Sequence, residues 1–216
     1  MRAVVLRKTG GPKVLSVTGT EEPRPGRGEV LVSVSYTGIN YAEILSRKGL
    51  YGWAPKRPYV LGMECSGVIE AVGEGVPESR IGERVVAGAK HGCYAEKIAV
   101  PEGSAVPVPS GYSMEEGAAF LVNYMTAWVC LFRMARLRAG EKLLVTAAAG
   151  GVGTAAVKLA SHAGAEVYGM AGSAEKCALV ESLGAAGCFN YRSEDAFKEL
   201  IAVTGGVDAV LEVVGG

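Results

Sequence analysis

The chain has 216 residues, 49% of them apolar and 20% charged, with 22 basic against 22 acidic side chains and no net formal charge. That composition excludes a disordered chain and allows one large domain or two small ones with a substantial core. With no run of either sign, nothing here recruits nucleic acid or an anionic membrane surface by bulk electrostatics.

The amino terminus, "MRAVVLRKTGG", has too short an apolar stretch for a signal peptide. The first half then reads as strands and turns. In "VLVSVSY", Val30, Val32, Val34 and Tyr36 alternate with Leu31, Ser33 and Ser35, the period of a sheet with one buried face. "VIEAVGEGV", "ERVVAG" and "YAEKIAVP" are further short strands, and "EEPRPGRGE", "GWAPKRP" and "AVPVPSG" are turns or loops. Residues 1–112 are expected to form an irregular, antiparallel, β-rich domain.

At Ser113 the period changes. Ser113 and Glu116 make a capping box, and the apolar run from Gly117 to Phe132 reads as one buried helix. It falls short of the ~20 residues that a membrane span needs. From Glu141 onward strands and helices alternate: "KLLVTAA", "VGTAAVKLASHAG", "EVYGMA", "SAEKCALVESLG", "GCFNY", "SEDAFKELIAVTG" and "VDAVLEVV". Such alternation means a parallel sheet with right-handed crossovers. Residues 113–216 are thus expected to be an incomplete doubly wound dinucleotide domain, with four of the six strands of the 3-2-1-4-5-6 order. On that count "AVLEVV" is an apolar edge that invites association. The chain is expected to be the amino-terminal portion of a longer enzyme.

Between the first of those strands and its helix lies Ala148-x-Gly150-x-x-Gly153. A β-carbon at Gly150 would keep the backbone away from a pyrophosphate, Gly153 lets helix and strand pack closely, and the first position only has to permit a tight turn. The helix start, Gly150, Gly151, Val152 and Gly153, directs free N–H groups at an anion. At the end of the second strand an NADH site carries an acid, but "GMAGSAEK" has none at Ala171, Gly172 or Ser173. Ser173 can donate a hydrogen bond and Lys176 follows in the next helix. Tyr191 closes the third strand and Arg192 follows it. NADPH is therefore expected over NADH, with plain solvated charge as the other reading of Lys176 and Arg192.

The five cysteines, Cys65, Cys93, Cys130, Cys177 and Cys188, are odd in number and form no C-x-x-C. They fit neither a disulfide framework nor a zinc site, and they suit a reducing cytoplasm. His91 and Cys93 make only an i, i+2 pair and His162 sits inside a helix, so no metal is expected.

Together "AAAGGVGTAAVKLA", "GINYAEILSRKGLY", "LGMECSGVIEAVGEGV" and "FLVNYMTA" resemble the zinc-independent quinone oxidoreductases. These are the zeta-crystallin-like branch of the medium-chain dehydrogenase/reductase superfamily, with a flavour of its vesicle-amine-transport-protein-like members. The resemblance covers the whole chain. It implies a small-chaperonin-like catalytic domain followed by a nucleotide domain, and an NADPH-dependent reductase of quinones or α,β-unsaturated carbonyls. It also implies a homo-oligomer when full length. By the same resemblance Asn40 and Tyr51 line the substrate side, Thr126 sits near the nicotinamide and Val214 borders the cofactor.

Hydride addition to a conjugated acceptor needs no metal. The protein has to position the acceptor and offer hydrogen bonds to the charge that develops. Asn40 and Tyr51 are donors of that kind, and Tyr51 can supply a proton, although aromatic packing accounts for Tyr51 equally well. Two rival readings stay open. One is an enoyl reductase fragment of a fatty-acid or polyketide synthase; the other is a non-catalytic NADPH-binding interaction protein.

Overall fold

The structure, a computed structural model, describes residues 1–214. Contacts divide the chain into two compact units, one from Met1 to Val122 and one from Asn123 onward.

The first unit holds β1 (Arg2–Leu6), β2 (Leu15–Gly19), β3 (Glu29–Thr37), α1 (Tyr41–Lys48), β4 (Tyr59–Val60), β5 (Glu64–Val72), β6 (Arg84–Gly88), β7 (Lys97–Pro101), β8 (Ala105–Pro107) and α2 (Met114–Ala118). The strands form a three-stranded sheet of order β2-β1-β4 and a five-stranded sheet of order β7-β3-β5-β6-β8, with every pairing antiparallel. Val30, Val32, Cys65, Ile69, Val85, Ala87, Ile98 and Val100 make one core cluster.

The expected alternation along β3 is not what forms. Val30, Leu31 and Val32 are all buried, whereas Ser35, Tyr36 and Thr37 are all exposed. The strand is covered on both faces where it enters the sheet and leaves cover as it exits. Its register against β5 shifts twice, between Leu31 and Val32 and between Val34 and Tyr36, and such bulges bend a strand.

The second unit contains most of α3 (Leu121–Trp128), then β9 (Lys142–Val145), α4 (Gly151–His162), β10 (Glu166–Ala171), α5 (Ala174–Ser182), β11 (Gly187–Asn190), α6 (Ala196–Thr204) and β12 (Ala209–Leu211). The parallel sheet has the order β11-β10-β9-β12. Numbered within the unit this is 3-2-1-4, as expected from the alternation. Leu143 and Val145 join the cluster with Ala155, Ala156, Val157 and Ala160 of α4, while Leu144 joins Tyr168, Met170, Ala196 and Leu200 on the opposite face. A sheet covered on both faces explains the unbroken apolar run of β9.

The compact units divide after Val122, ten residues beyond the expected boundary at 112, with α2 against β5, β3 and β6. One expectation is corrected. The single helix expected over 117–132 is broken. Ala119 leaves helical geometry (φ −108°, ψ 15°), α3 starts at Leu121, and a wider π-helical turn runs over Val129–Met134. Gly117 seats α2 on the sheet, where a β-carbon would lie 3.0 Å from Val86 Cγ1, so sheet packing rather than helix continuity sets this segment. Nor is the run wholly buried, since Met125 is 60% exposed. Among the described residues no helix is long and apolar enough to cross a membrane.

In β5, a β-carbon on Gly67 would lie 2.2 Å from the Ser33 carbonyl oxygen of β3. Gly67→Ala is expected to lower the unfolding free energy by about 1–3 kcal/mol, since a backbone atom cannot yield as a side chain does. Urea denaturation checks this; an unchanged midpoint would contradict the packing of these two strands.

Candidate functional site

In the second unit the chain leaves β9 and enters α4 through Thr146–Gly150. Ala147 takes a left-handed conformation (φ 44°), and its carbonyl accepts the Gly150 N–H at 2.8 Å. The turn that a first glycine would make is thus made one residue earlier, by an alanine. Ala148 is fully buried and donates its N–H to the Met170 carbonyl at 2.9 Å. Gly153 is required sterically, because a β-carbon there would lie 2.4 Å from the Ala147 oxygen.

Helix α4 begins at an N-cap, Gly150, that supplies no side-chain hydrogen bond, and its first turn carries no acid. Gly150 and Gly151 are exposed, Val152 is half-buried and Gly153 is buried. An open helix start with a partial positive charge and no built-in anion suits a diphosphate. A residue not singled out from sequence adjoins it: Asn123, whose Oδ1 would lie 2.5 Å from a β-carbon on Gly151. Thr126 follows one turn later on α3 and is exposed. The i, i+3 spacing of these two polar residues inside an apolar run was the signal that could have found Asn123.

The carboxyl ends of β10 and β11 place the adenosine-side candidates together. The Tyr191 hydroxyl would lie 2.5 Å from a β-carbon on Gly172, so its ring packs on that glycine backbone, and the Tyr191 N–H bonds to the Ala171 carbonyl at 3.1 Å. Ser173 is the N-cap of α5 and accepts the Lys176 N–H at 3.3 Å, which leaves its hydroxyl proton free to be donated. Lys176 and Arg192 are exposed, and among the described residues neither forms an ion pair. Val214 is 68% exposed and donates its N–H to Glu212 Oε1, which also accepts from Thr146 Oγ1 at 2.9 Å.

In the first unit Asn40 precedes α1, a helix whose signals were present in Asn40-x-x-Glu43 and in Gly49, which ends it at φ 80°. Asn40 is 9% exposed. Its N–H donates to Glu43 Oε2 at 2.7 Å, and its Nδ2 donates to Glu64 Oε1 at 2.8 Å. Glu43 Oε1 accepts the Met63 N–H at 2.9 Å, and Glu64 Oε2 accepts the Val122 N–H at 2.9 Å. Both carboxyls are buried, and among the described residues neither forms an ion pair. Burial pushes each above the ordinary carboxylate value, opposed by the N–H donors, and the charge of Glu64 adds to the rise at Glu43. Tyr51 is half-buried and lines a small cavity with Glu43, Ser46, Tyr59 and His91. Glu43 is therefore common to the surroundings of Asn40 and Tyr51. Among the described residues no three His, Cys, Asp or Glu side chains cluster as a metal site would require.

A β-rich unit followed by a 3-2-1-4 parallel sheet with a glycine-bounded helix start defines the medium-chain dehydrogenase/reductase architecture. A family profile described as alcohol dehydrogenase GroES-like domain matches residues 26–110, and one described as zinc-binding dehydrogenase matches 151–216. The quinone oxidoreductase from Thermus thermophilus, solved also in complex with NADPH, is 40% identical; the match covers 100% of this chain and 68% of that one, with a TM-score of 0.87. The CurK enoyl reductase structure is 32% identical over 100% of this chain and 68% of its own, with a TM-score of 0.91. The synaptic vesicle membrane protein VAT-1 homolog of Danio rerio is 39% identical over 100% of this chain and 45% of its own length. The chain spans about half the length of the curated relatives it matches. It belongs to the medium-chain dehydrogenase/reductase superfamily, in the branch of the quinone oxidoreductases and VAT-1 homologs.

Two outcomes test the site. Ala147→Gly relieves a left-handed alanine and is expected to raise stability by about 1 kcal/mol, read from the thermal midpoint. A carboxyl that binds its proton more tightly folded than unfolded favours folding at acidic pH, and that contribution is lost as pH climbs through the raised value. Glu43→Gln removes this titration. Its stability relative to the parent is expected to improve from about pH 4 to about pH 7, measured by urea denaturation at each pH.

Proposed function

We propose that this chain carries the coenzyme-phosphate site and the acceptor-side donors of an NADPH-dependent reductase acting on a quinone or an α,β-unsaturated carbonyl. The observation that carries this reading is the start of α4, where the N-cap is a glycine and the first turn has no acid, together with Lys176 in α5 and Arg192 after β11, which form no ion pair among the described residues. When bound, NADPH supplies a hydride from its nicotinamide ring.

The N–H groups at Gly151, Val152 and Gly153 are assigned to the diphosphate. Lys176 and Arg192 take the 2′-phosphate with a hydrogen bond from Ser173, and Tyr191 gives the adenosine an aromatic wall. Thr126 and Val214 are assigned to the nicotinamide side. Asn40 offers an amide N–H to the acceptor oxygen as negative charge develops there, and Tyr51 holds a proton that it can deliver. The reading includes a cytoplasmic setting, supported by five free cysteines, and a homo-oligomer, supported by the exposure of Val210 on β12.

A second reading, reduction of an enoyl thioester, is favoured by the close match to the CurK enoyl reductase. Offering the chain a short enoyl thioester and a simple quinone in competition separates the two.

By calorimetry NADPH is expected to bind at least about tenfold more tightly than NADH, the worth of one or two charge-assisted hydrogen bonds to a phosphate. Lys176→Ala combined with Arg192→Ala should erase that preference while leaving NADH binding as it was. NADPH consumption should follow on adding quinone. Heat with neither coenzyme sinks the reading, and binding without reduction of any conjugated carbonyl leaves a non-catalytic interaction protein.

A further inference from the structure

The turn from Thr37 to Asn40 is held on both sides of the exposed Ile39. Thr37 Oγ1 donates to the Glu64 carbonyl at 2.8 Å, and the Gly38 N–H reaches the same oxygen at 3.3 Å. Gly38 has no room for a side chain, since a β-carbon would lie 2.4 Å from the Ala118 carbonyl oxygen and 2.5 Å from Glu64 Oε1. The Asn40 N–H is fixed on Glu43 Oε2 at 2.7 Å. With the backbone set on both sides, what remains to be oriented is the Asn40 side chain, which closes a capping box with the Glu43 N–H; turning its amide exchanges a donor end for an acceptor end of nearly the same shape.

We propose that Glu64 is a positioning residue, the group that decides which end of the Asn40 amide is offered to the acceptor. The inference rests on the reading of Asn40 given above. Glu64 is 1% exposed and has both oxygens engaged, Oε1 by Asn40 Nδ2 at 2.8 Å and Oε2 by the Val122 N–H at 2.9 Å. An ionised carboxylate only accepts. Were the amide reversed, Asn40 Oδ1 would face Glu64 Oε1 with two sets of lone pairs opposed, away from water that could separate them. Glu64 therefore holds one N–H of the amide and leaves the other, with Oδ1, in a single orientation. A donor fixed before charge develops stabilises an oxyanion without reorganising, whereas a freely turning amide would offer its oxygen as often.

Glu64→Gln tests this while preserving volume. The Val122 N–H cannot turn, so the substituted side chain keeps its oxygen there and presents its NH₂ to Asn40, whose amide must reverse. The expected result is a fall in kcat for quinone reduction of about tenfold to a hundredfold with NADPH affinity unchanged. Asn40→Ala should fall as far, and the double variant no further, because both changes remove one effect. Multiplying losses, or an unchanged kcat, would overturn the proposal. Adding Asn40→Asp to Glu64→Gln rebuilds the hydrogen bond with its direction reversed. Stability should recover and kcat should not, whereas a purely structural role would restore both.

A measurement without turnover keeps this distinct from the proposed reaction and from any failure of the variant to fold. By NMR on the unsubstituted chain, one Asn40 Nδ2 proton should be protected from solvent exchange. If both exchange as fast as an exposed side-chain amide, the proposal fails whatever the activity. If the proton is protected and is lost in Glu64→Gln, the positioning stands even where no quinone is reduced.

Discussion

A methyl group on residue 153 would come within 2.4 Å of the Ala147 carbonyl oxygen, so the first turn of α4 meets the turn after β9 backbone to backbone. The rest of the second unit is arranged around that approach. It brings the small residues Ala155, Ala156 and Ala160 down onto Leu143 and Val145, and it leaves Gly150 and Gly151 open at the carboxyl end of the sheet. In a parallel sheet that end gathers successive loops, which is why the residues after β10 and β11 lie at the same rim. Gly172 repeats the device there, giving up a side chain so that Tyr191 can lie against its backbone.

The first unit solves a related electrostatic problem with its own side chains. Glu43 and Glu64 are buried acids that form no ion pair among the described residues, an arrangement that is costly unless other donors replace water. Main-chain N–H groups of Asn40, Met63 and Val122 and the amide of Asn40 do so. Oriented amides there hold carboxyls of the chain itself and fix the turn that carries Asn40. In the second unit the start of α4 is exposed at Gly150 and Gly151 and has no acid in its first turn.

Much of this was legible before the fold was known, and the reason is range. Helices α4, α5 and α6, the strands between them and the Ser113–Glu116 cap follow from neighbours within a few residues, and the 3-2-1-4 order follows from short crossovers. The start of α1 was missed, although Asn40 and Glu43 repeat the spacing of the Ser113–Glu116 cap. Gly150, Gly153, Ser173, Lys176 and Tyr191 could be picked out because a loop between a strand and a helix can be placed from periodicity alone.

The amino-acid sequence by itself thus determined the two-part organisation, the parallel sheet and the position of the glycine-bounded helix start, all consequences of local period and steric rule. Only the tertiary structure decided that Ala147 makes the left-handed turn, that α2 breaks from α3 to lie on the sheet, and that Asn123 stands beside Gly151. It alone decided that Glu64 is buried against Asn40 and Val122, residues 24 and 58 positions away along the chain. Such contacts depend on which surfaces meet once the elements are assembled, and no periodicity within a segment encodes that.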